Sequence, residues 1–224
     1  MTSAPGDRPR RVFSRFYARI SPRLEDEGMA ELRHELLDEL TGDVVEIGAG
    51  NGLNFAHYPD TVSDVLAVEP EPYLRALATR AAETAPVPVT VDAGTADQIP
   101  LPDDSVDAAV LCLVMCSLDD RQAALAEIRR VLRPNGSLRF LEHTIAETPG
   151  LRIAQRVADA TVWPLLAGGC HTATDPVGAI TAAGFEITSI RRLRFPENRF
   201  TQPSSPHVLG SAELVGQSRG SVSR

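Results

Sequence analysis

Val44-Val-Glu-Ile-Gly-Ala-Gly-Asn-Gly52 is the stretch that decides how this chain is read. Val44 to Ile47 has the apolar content of a buried strand, and it runs straight into glycines. Glycines at 48, 50 and 52 let a backbone turn sharply and approach a ligand closely. The segment after them is expected to open a helix. A nicotinamide-dinucleotide fingerprint would place its third glycine at 53, where Leu53 stands instead.

Working outward, the same alternation of strand and helix recurs. Strands are expected at Val65–Val68, Val87–Val91, Val106–Leu113, Leu138–Leu141, Phe185–Ile190 and His207–Val215. Pro88 marks the third of the seven as an edge strand, because it has no N–H to give to a neighbour. The near-continuous apolar run of the fourth suits burial on both faces. Helices are expected after Glu69 (Leu74, Leu77, Ala78, Ala81), at Leu125–Leu132, and near 151–162 and 176–183. Repeated βαβ units predict a mostly parallel seven-stranded sheet with helices on both faces. The last two strands have no room for a helix between them, so a terminal antiparallel hairpin is expected. Ahead of the sheet, Arg11–Ile20 reads as a short helix broken at Ser21-Pro22. Leu32, Leu36, Leu37 and Leu40 share a second helical face that stops at Gly42. The divisions expected are an N-terminal helical lid or extension over 1–41, one α/β domain over 42–215, and a disordered tail over 216–224. Residues 1–9 read as a disordered start.

Composition removes several function classes. The net charge is −8, and no basic stripe is present, so nucleic acid is not an expected partner. All 22 basic residues are Arg, so neither a Schiff-base lysine nor a P-loop lysine exists. Cys112, Cys116 and Cys170 form no CxxC pair, and no metal is expected. Few cysteines point to a reduced, cytoplasmic setting. The longest apolar run, Ala108–Cys116, is about half a membrane span, so no membrane association is expected. A small-molecule acceptor fits this balance.

Two further features sit where a ligand on the glycine loop would need them. Glu69, with Pro70 beside it, ends the second strand, and a carboxylate there can accept hydrogen bonds from a ribose. Gly94-Thr95-Ala96-Asp97 follows the third strand and can clamp an adenine through Thr95, Ala96 and Asp97. The acidic-x-Gly-x-Gly-x-Gly spacing that begins at Glu46 is the one used by enzymes of S-adenosylmethionine. With these residues the chain resembles the class I S-adenosylmethionine-dependent methyltransferases over about residues 12–214, which implies a Rossmann-like fold. The blocks Leu101-Pro-Asp-Asp-Ser-Val-Asp107 and Ala124–Gly136 look like that family's segment after the adenine loop. Asn54-Phe-Ala-His-Tyr-Pro59, Leu113-Val-Met-Cys-Ser117, Phe140-Leu-Glu-His143, Gly168-Gly-Cys-His171 and Pro206-His-Val-Leu-Gly210 resemble the alkyl-thiol methyltransferase branch and its bacterial relatives. The microsomal members of that branch carry an N-terminal membrane anchor, which is not seen in this sequence. Asn51 stands where Thr is usual, and Thr95 where Asp or Ser is common.

The resemblance implies that Glu46, Gly48, Gly50, Gly52, Asn54, Glu69, Pro70, Thr95, Ala96 and Asp97 serve the cofactor. It also implies that backbone groups of Gly48 and of Cys112 or Leu113 hold its ammonium group. Methyl transfer from a sulfonium needs a positioned nucleophile and a site closed to water. Phe13, Phe16 and Tyr17 are the candidate lid, with Tyr17 also facing the acceptor. His143, ending the fifth strand, and His171 are the candidate bases, since a free thiol has a pKa of about 8.5. His57 and His207 are weaker candidates, and His34 is a helix-surface residue. Cys116 and Cys170 are candidates to line the acceptor pocket. Thiol S-methylation of a small, secondary metabolite is the leading expectation. O- or N-methylation, a nicotinamide oxidoreductase and a non-catalytic binding module are the competitors. The chain is expected to be a monomer or homodimer.

Overall fold

The structure, a computed structural model, describes residues 7–161, 163–196 and 202–214. The expected tail at 216–224 lies outside them, as do the first six residues of the expected disordered start. From Asp7 onward the chain is helical.

Seven strands form one sheet in the order β3-β2-β1-β4-β5-β7-β6. They are β1 (Gly42–Ile47), β2 (Val62–Val68), β3 (Val89–Asp92), β4 (Val106–Cys112), β5 (Leu132–His143), β6 (Phe185–Arg194) and β7 (Pro206–Leu214). The first five run parallel, and β7 lies antiparallel between β5 and β6. This is the Rossmann-like sheet with a terminal hairpin that the alternation predicts. Pro88 directly precedes the edge strand β3. β1 and β4 are buried nearly end to end, because apolar layers cover both faces of the sheet centre.

The helices are α1 (Asp7–Leu24), α2 (Ala30–Leu37), α3 (Pro72–Ala82), α4 (Arg121–Val131), α5 (Pro149–Asp159), α6 (Trp163–Leu166) and α7 (Pro176–Ala182). Four sequence expectations need correction. The first helix is not broken at Ser21-Pro22. It continues to Leu24, and the chain reorients one turn later through a π-turn at Glu25–Met29, where Gly28 has φ 108°. A tertiary contact accompanies the continuation: buried Ser21 accepts a 3.0 Å hydrogen bond from Asn51 in the glycine loop. Leu40 is buried but lies beyond α2, which ends at Leu37. No α-helix follows the glycine loop; a 3₁₀ turn at Phe55–His57 leads to Tyr58-Pro59 and then β2. Finally, the Pro134-Asn135-Gly136 turn lies inside a longer β5, as an irregularity where the register jumps from Val106↔Leu132 to Ala108↔Ser137.

Candidate active site

The strand order reverses at β1, so the carboxyl ends of β1 and β4 open a crevice, the place where open α/β sheets bind ligands. The glycine loop forms one wall. Gly48 has φ 68°, and a side chain there would overlap Val114 on the opposite wall. Gly52 has φ 81°, and its would-be Cβ lies 2.8 Å from Phe55 and 2.9 Å from Ala81. Both positions combine left-handed backbone with contact packing, which only glycine meets. Across the crevice Leu113 adopts φ 58° at the end of β4. Such a conformation costs a non-glycine residue of order 1–3 kcal/mol and concentrates at functional sites.

Glu46 ends β1 with its carboxylate buried. It accepts hydrogen bonds from Asn54 Nδ2 at 2.8 Å and from the Tyr58 hydroxyl at 2.6 Å. Burial pushes the Glu46 carboxyl up to about 7, against the hydrogen bonds from Tyr58 and Asn54 that hold it down. Asn54 is committed on its other side as well, accepting from Arg33 at 2.7 Å. Arg33 is buried and also donates to Glu25 at 3.0 Å and to the Cys112 sulfur at 3.2 Å. Asn54 thus positions Glu46 and is itself withdrawn from the crevice. Burial raises the Cys112 thiol to about 11.

Glu69 is buried at the end of β2. One oxygen accepts from the Gly50 N–H at 2.8 Å, the other from the Glu71 N–H at 2.8 Å. It ties the glycine loop to β2, and each oxygen keeps a second lone pair for a further donor. Thr95 and Asp97 are exposed and Ala96 half-buried, in a turn where the Gln98 N–H bonds the Thr95 carbonyl at 3.1 Å. Pro70 is exposed beside Glu69.

α1 crosses this mouth. The Tyr17 ring lies 3.5 Å from where a Gly50 Cβ would be, and Phe13 packs against Gly168 and stacks on Tyr17 at 5.8 Å. Phe16, in contrast, is 55% exposed and faces away. Burial raises the Tyr17 phenol pKa, so the hydroxyl stays protonated at neutral pH.

The carboxyl ends of β4 and β5 build the neighbouring wall. Glu142 is fully buried; its Oε1 accepts the N–H groups of Val114 at 3.0 Å and Met115 at 3.1 Å, while Oε2 has no partner. Burial pushes Glu142 up to about 7. His143 packs against His207 with ring centroids 4.4 Å apart and the rings tilted by 46°. Burial lowers His143 to about 3 and His207 to about 4, so both rings are neutral at physiological pH. Cys116, in the 3₁₀ turn Met115–Ser117, is buried, as is Cys170. The structure brings Cys116, Cys170 and His143 together, with ligand-forming atoms within 4.8 Å of one another. His171 does not join them through its ring: its side chain is exposed and bonds the Gly169 carbonyl at 2.9 Å. Its N–H instead fastens the loop to the Cys116 carbonyl at 2.9 Å. His34 is exposed, as expected of a helix surface, and His57 is half-buried near Glu25.

Arg33, Tyr58 and Glu142 carry this site and were not singled out from sequence. The one available signal was Arg33 itself, a cation sharing a helical face with Leu36 and Leu37.

Comparison with known proteins agrees with this geometry. Residues 45–140 match the family model described as a methyltransferase domain. Human thiol S-methyltransferase TMT1A is 31% identical over 199 residues, covering 84% of this chain and 80% of that protein. The chain belongs to the class I S-adenosylmethionine-dependent methyltransferases. Among solved structures, an S-adenosylmethionine-dependent methyltransferase from Thermotoga maritima superposes with TM-score 0.66 at 24% identity, over 91% of this chain and 98% of the other. A geranyl diphosphate methyltransferase in complex with S-adenosylmethionine gives TM-score 0.62 at 15% identity, over 84% and 85%. These two likenesses support the fold. This methyltransferase therefore uses S-adenosylmethionine as its cofactor. No helix among its described residues is long and apolar enough to cross a membrane.

Proposed function

We propose that this methyltransferase transfers a methyl group to the sulfur of a small thiol, with His143, Cys116 and Cys170 lining the acceptor side. The observation that carries this reading is the extent of the likeness to the human thiol S-methyltransferase. It covers 84% of the chain and so reaches past the methyltransferase domain at 45–140 into the acceptor side.

The cofactor would lie against the turn that Gly48, Gly50 and Gly52 shape, where backbone without side chains can approach a ligand closely. Glu46 and the backbone of Gly48 and of Cys112 or Leu113 would hold the methionine end, Glu69 and Pro70 the ribose, and Thr95, Ala96 and Asp97 the adenine. S-adenosylmethionine supplies an activated methyl on a sulfonium, so the protein needs to position the acceptor and exclude water. The charge of the sulfonium vanishes in the reaction, and water would stabilise the charged ground state. Tyr17 and Phe13 on α1 would exclude it, which makes α1 the lid of the site. His171 stands at the rim, where it would take the acceptor's proton to solvent, while the neutral His143 ring lines the interior.

The test is formation of S-adenosylhomocysteine with panels of small thiols, phenols and amines. Turnover is expected with thiols. Turnover confined to phenols or amines would defeat the acceptor assignment and leave the cofactor assignment standing.

A further inference from the structure

Cys116, His143 and Cys170 lie far apart in sequence, on three different segments: the 3₁₀ turn after β4, the end of β5, and the turn after α6. Sequence spacing therefore gave no reason to expect a metal. The fold nonetheless places two sulfurs and one imidazole nitrogen within 4.8 Å of one another. Both cysteines are free thiols, and they hydrogen-bond each other. Nδ1 of His143 is fully buried and has no hydrogen-bond partner. The main chain of Ser204 also acts on this ring as a hydrogen-bond partner, and Nδ1 is a buried nitrogen without a partner of its own. A backbone group that fixes the ring while the other nitrogen points at a cation is the usual support of a metal-bound histidine. The His207 ring packs against it at 4.4 Å between centroids, tilted by 46°.

We infer that these three side chains form a mononuclear site for a thiophilic cation of the zinc type, with its fourth position open toward the acceptor. Two sulfurs and one nitrogen are a zinc donor set, and three protein ligands with one free position is the arrangement of a reactive rather than a structural site. Tetrahedral bonds of about 2.3 Å to sulfur and 2.0–2.1 Å to nitrogen put ligand atoms roughly 3.5–3.8 Å apart, so the cluster contracts by about 1 Å on loading. Side-chain rotation of Cys170 can supply that, since it sits in a turn after α6 rather than in the sheet.

The use of the fourth position rests on the thiol reading above. An acceptor R–SH binding there gives its proton by way of His171 to water and is held as a thiolate. In the transfer, the thiolate's electron pair forms the new S–CH₃ bond. The sulfonium–CH₃ bond breaks and leaves its pair on the sulfur of S-adenosylhomocysteine. The cation changes neither charge nor oxidation state.

The full chain, reduced with a phosphine and stripped by a chelator, is titrated with cobalt(II) without S-adenosylmethionine. The expected result is uptake of one equivalent, with thiolate-to-cobalt charge-transfer absorption and the visible spectrum of a tetrahedral ion. Ethanethiol should shift that spectrum by taking the fourth position. Cys170→Ser, at a turn rather than in the sheet core, should lose the charge-transfer intensity of one thiolate and bind at least tenfold more weakly. His34→Ala, on the exposed surface of α2, should bind as the unaltered chain does. Substoichiometric uptake, or a spectrum that Cys170→Ser leaves intact, overturns the site. A spectrum indifferent to ethanethiol overturns the open position. Neither readout needs turnover, so thiol methylation can stand while the metal site fails, and the reverse.

Discussion

The two halves of the active-site crevice treat their buried polar groups differently. On the proposed cofactor side, Glu46, Asn54, Tyr58, Arg33 and Glu25 form one connected network. On the proposed acceptor side, Glu142 Oε2 and His143 Nδ1 are buried without partners. An unsatisfied buried polar atom costs roughly 1–3 kcal/mol. The cofactor side is thus complete in itself and holds its shape before any ligand arrives. The acceptor side keeps unmet hydrogen-bonding capacity that a bound group can meet. The contrast matches a common cofactor on one side and a specific acceptor on the other.

The sharpest way to break that contrast is to cut the complete network. Arg33→Ala leaves Glu25 and the Cys112 sulfur without their cation, and removing one partner of a buried pair typically costs about 3–5 kcal/mol. Denaturant unfolding should show that loss as a lower midpoint. A change below about 1 kcal/mol would mean the network is not the frame of the site.

Glu69→Ala is expected to act mainly on the cofactor. Losing charged hydrogen bonds should weaken S-adenosylmethionine binding by roughly 1.5–3 kcal/mol, read by calorimetry. Unchanged affinity would show that the ribose lies elsewhere.

The Glu46 carboxyl, raised to about 7, links binding to pH. The cationic methionine end favours the carboxylate, so binding expels a proton below about pH 7. Affinity should therefore rise as pH increases from 5 to about 7, by up to roughly tenfold per unit. Glu46→Gln should bind more weakly at pH 7 and lose the slope. A slope retained in Glu46→Gln would assign the titration to another group. The same raised pKa also bears on stability: the folded chain holds this proton more tightly than the unfolded one. Glu46 therefore adds most to stability below the unfolded value of about 4.3, and that share fades as pH climbs through about 7.

The smallest expected effect is on the acceptor side. His171→Ala should lower thiol turnover several-fold, in the lower part of the general-base range, because an exposed base competes with water. Its S-adenosylmethionine affinity should match that of the unaltered chain. Equal turnover across pH 6–9 would remove His171 from the proton path.

The strand ladder was legible because it is written locally. Apolar runs bounded by glycine and proline locate all seven strands, and Pro88 marks the edge before any contact is known. The glycine loop was legible for the same reason: backbone that must turn left-handed next to a ligand leaves a mark on residue type. The helix expected after that loop was misread, because a short crossover ending at Tyr58-Pro59 leaves room only for a 3₁₀ turn.

What sequence by itself determined here is therefore the sheet, the glycine turn after β1 and the class of chemistry. Only the tertiary structure decided that Arg33 underpins Glu46 across 13 positions, and that Cys116, His143 and Cys170 converge. Propensity and glycine geometry act within a few residues of chain. Burial and the pairing of buried polar groups are set by whatever the fold brings alongside, and nothing in the local sequence records that.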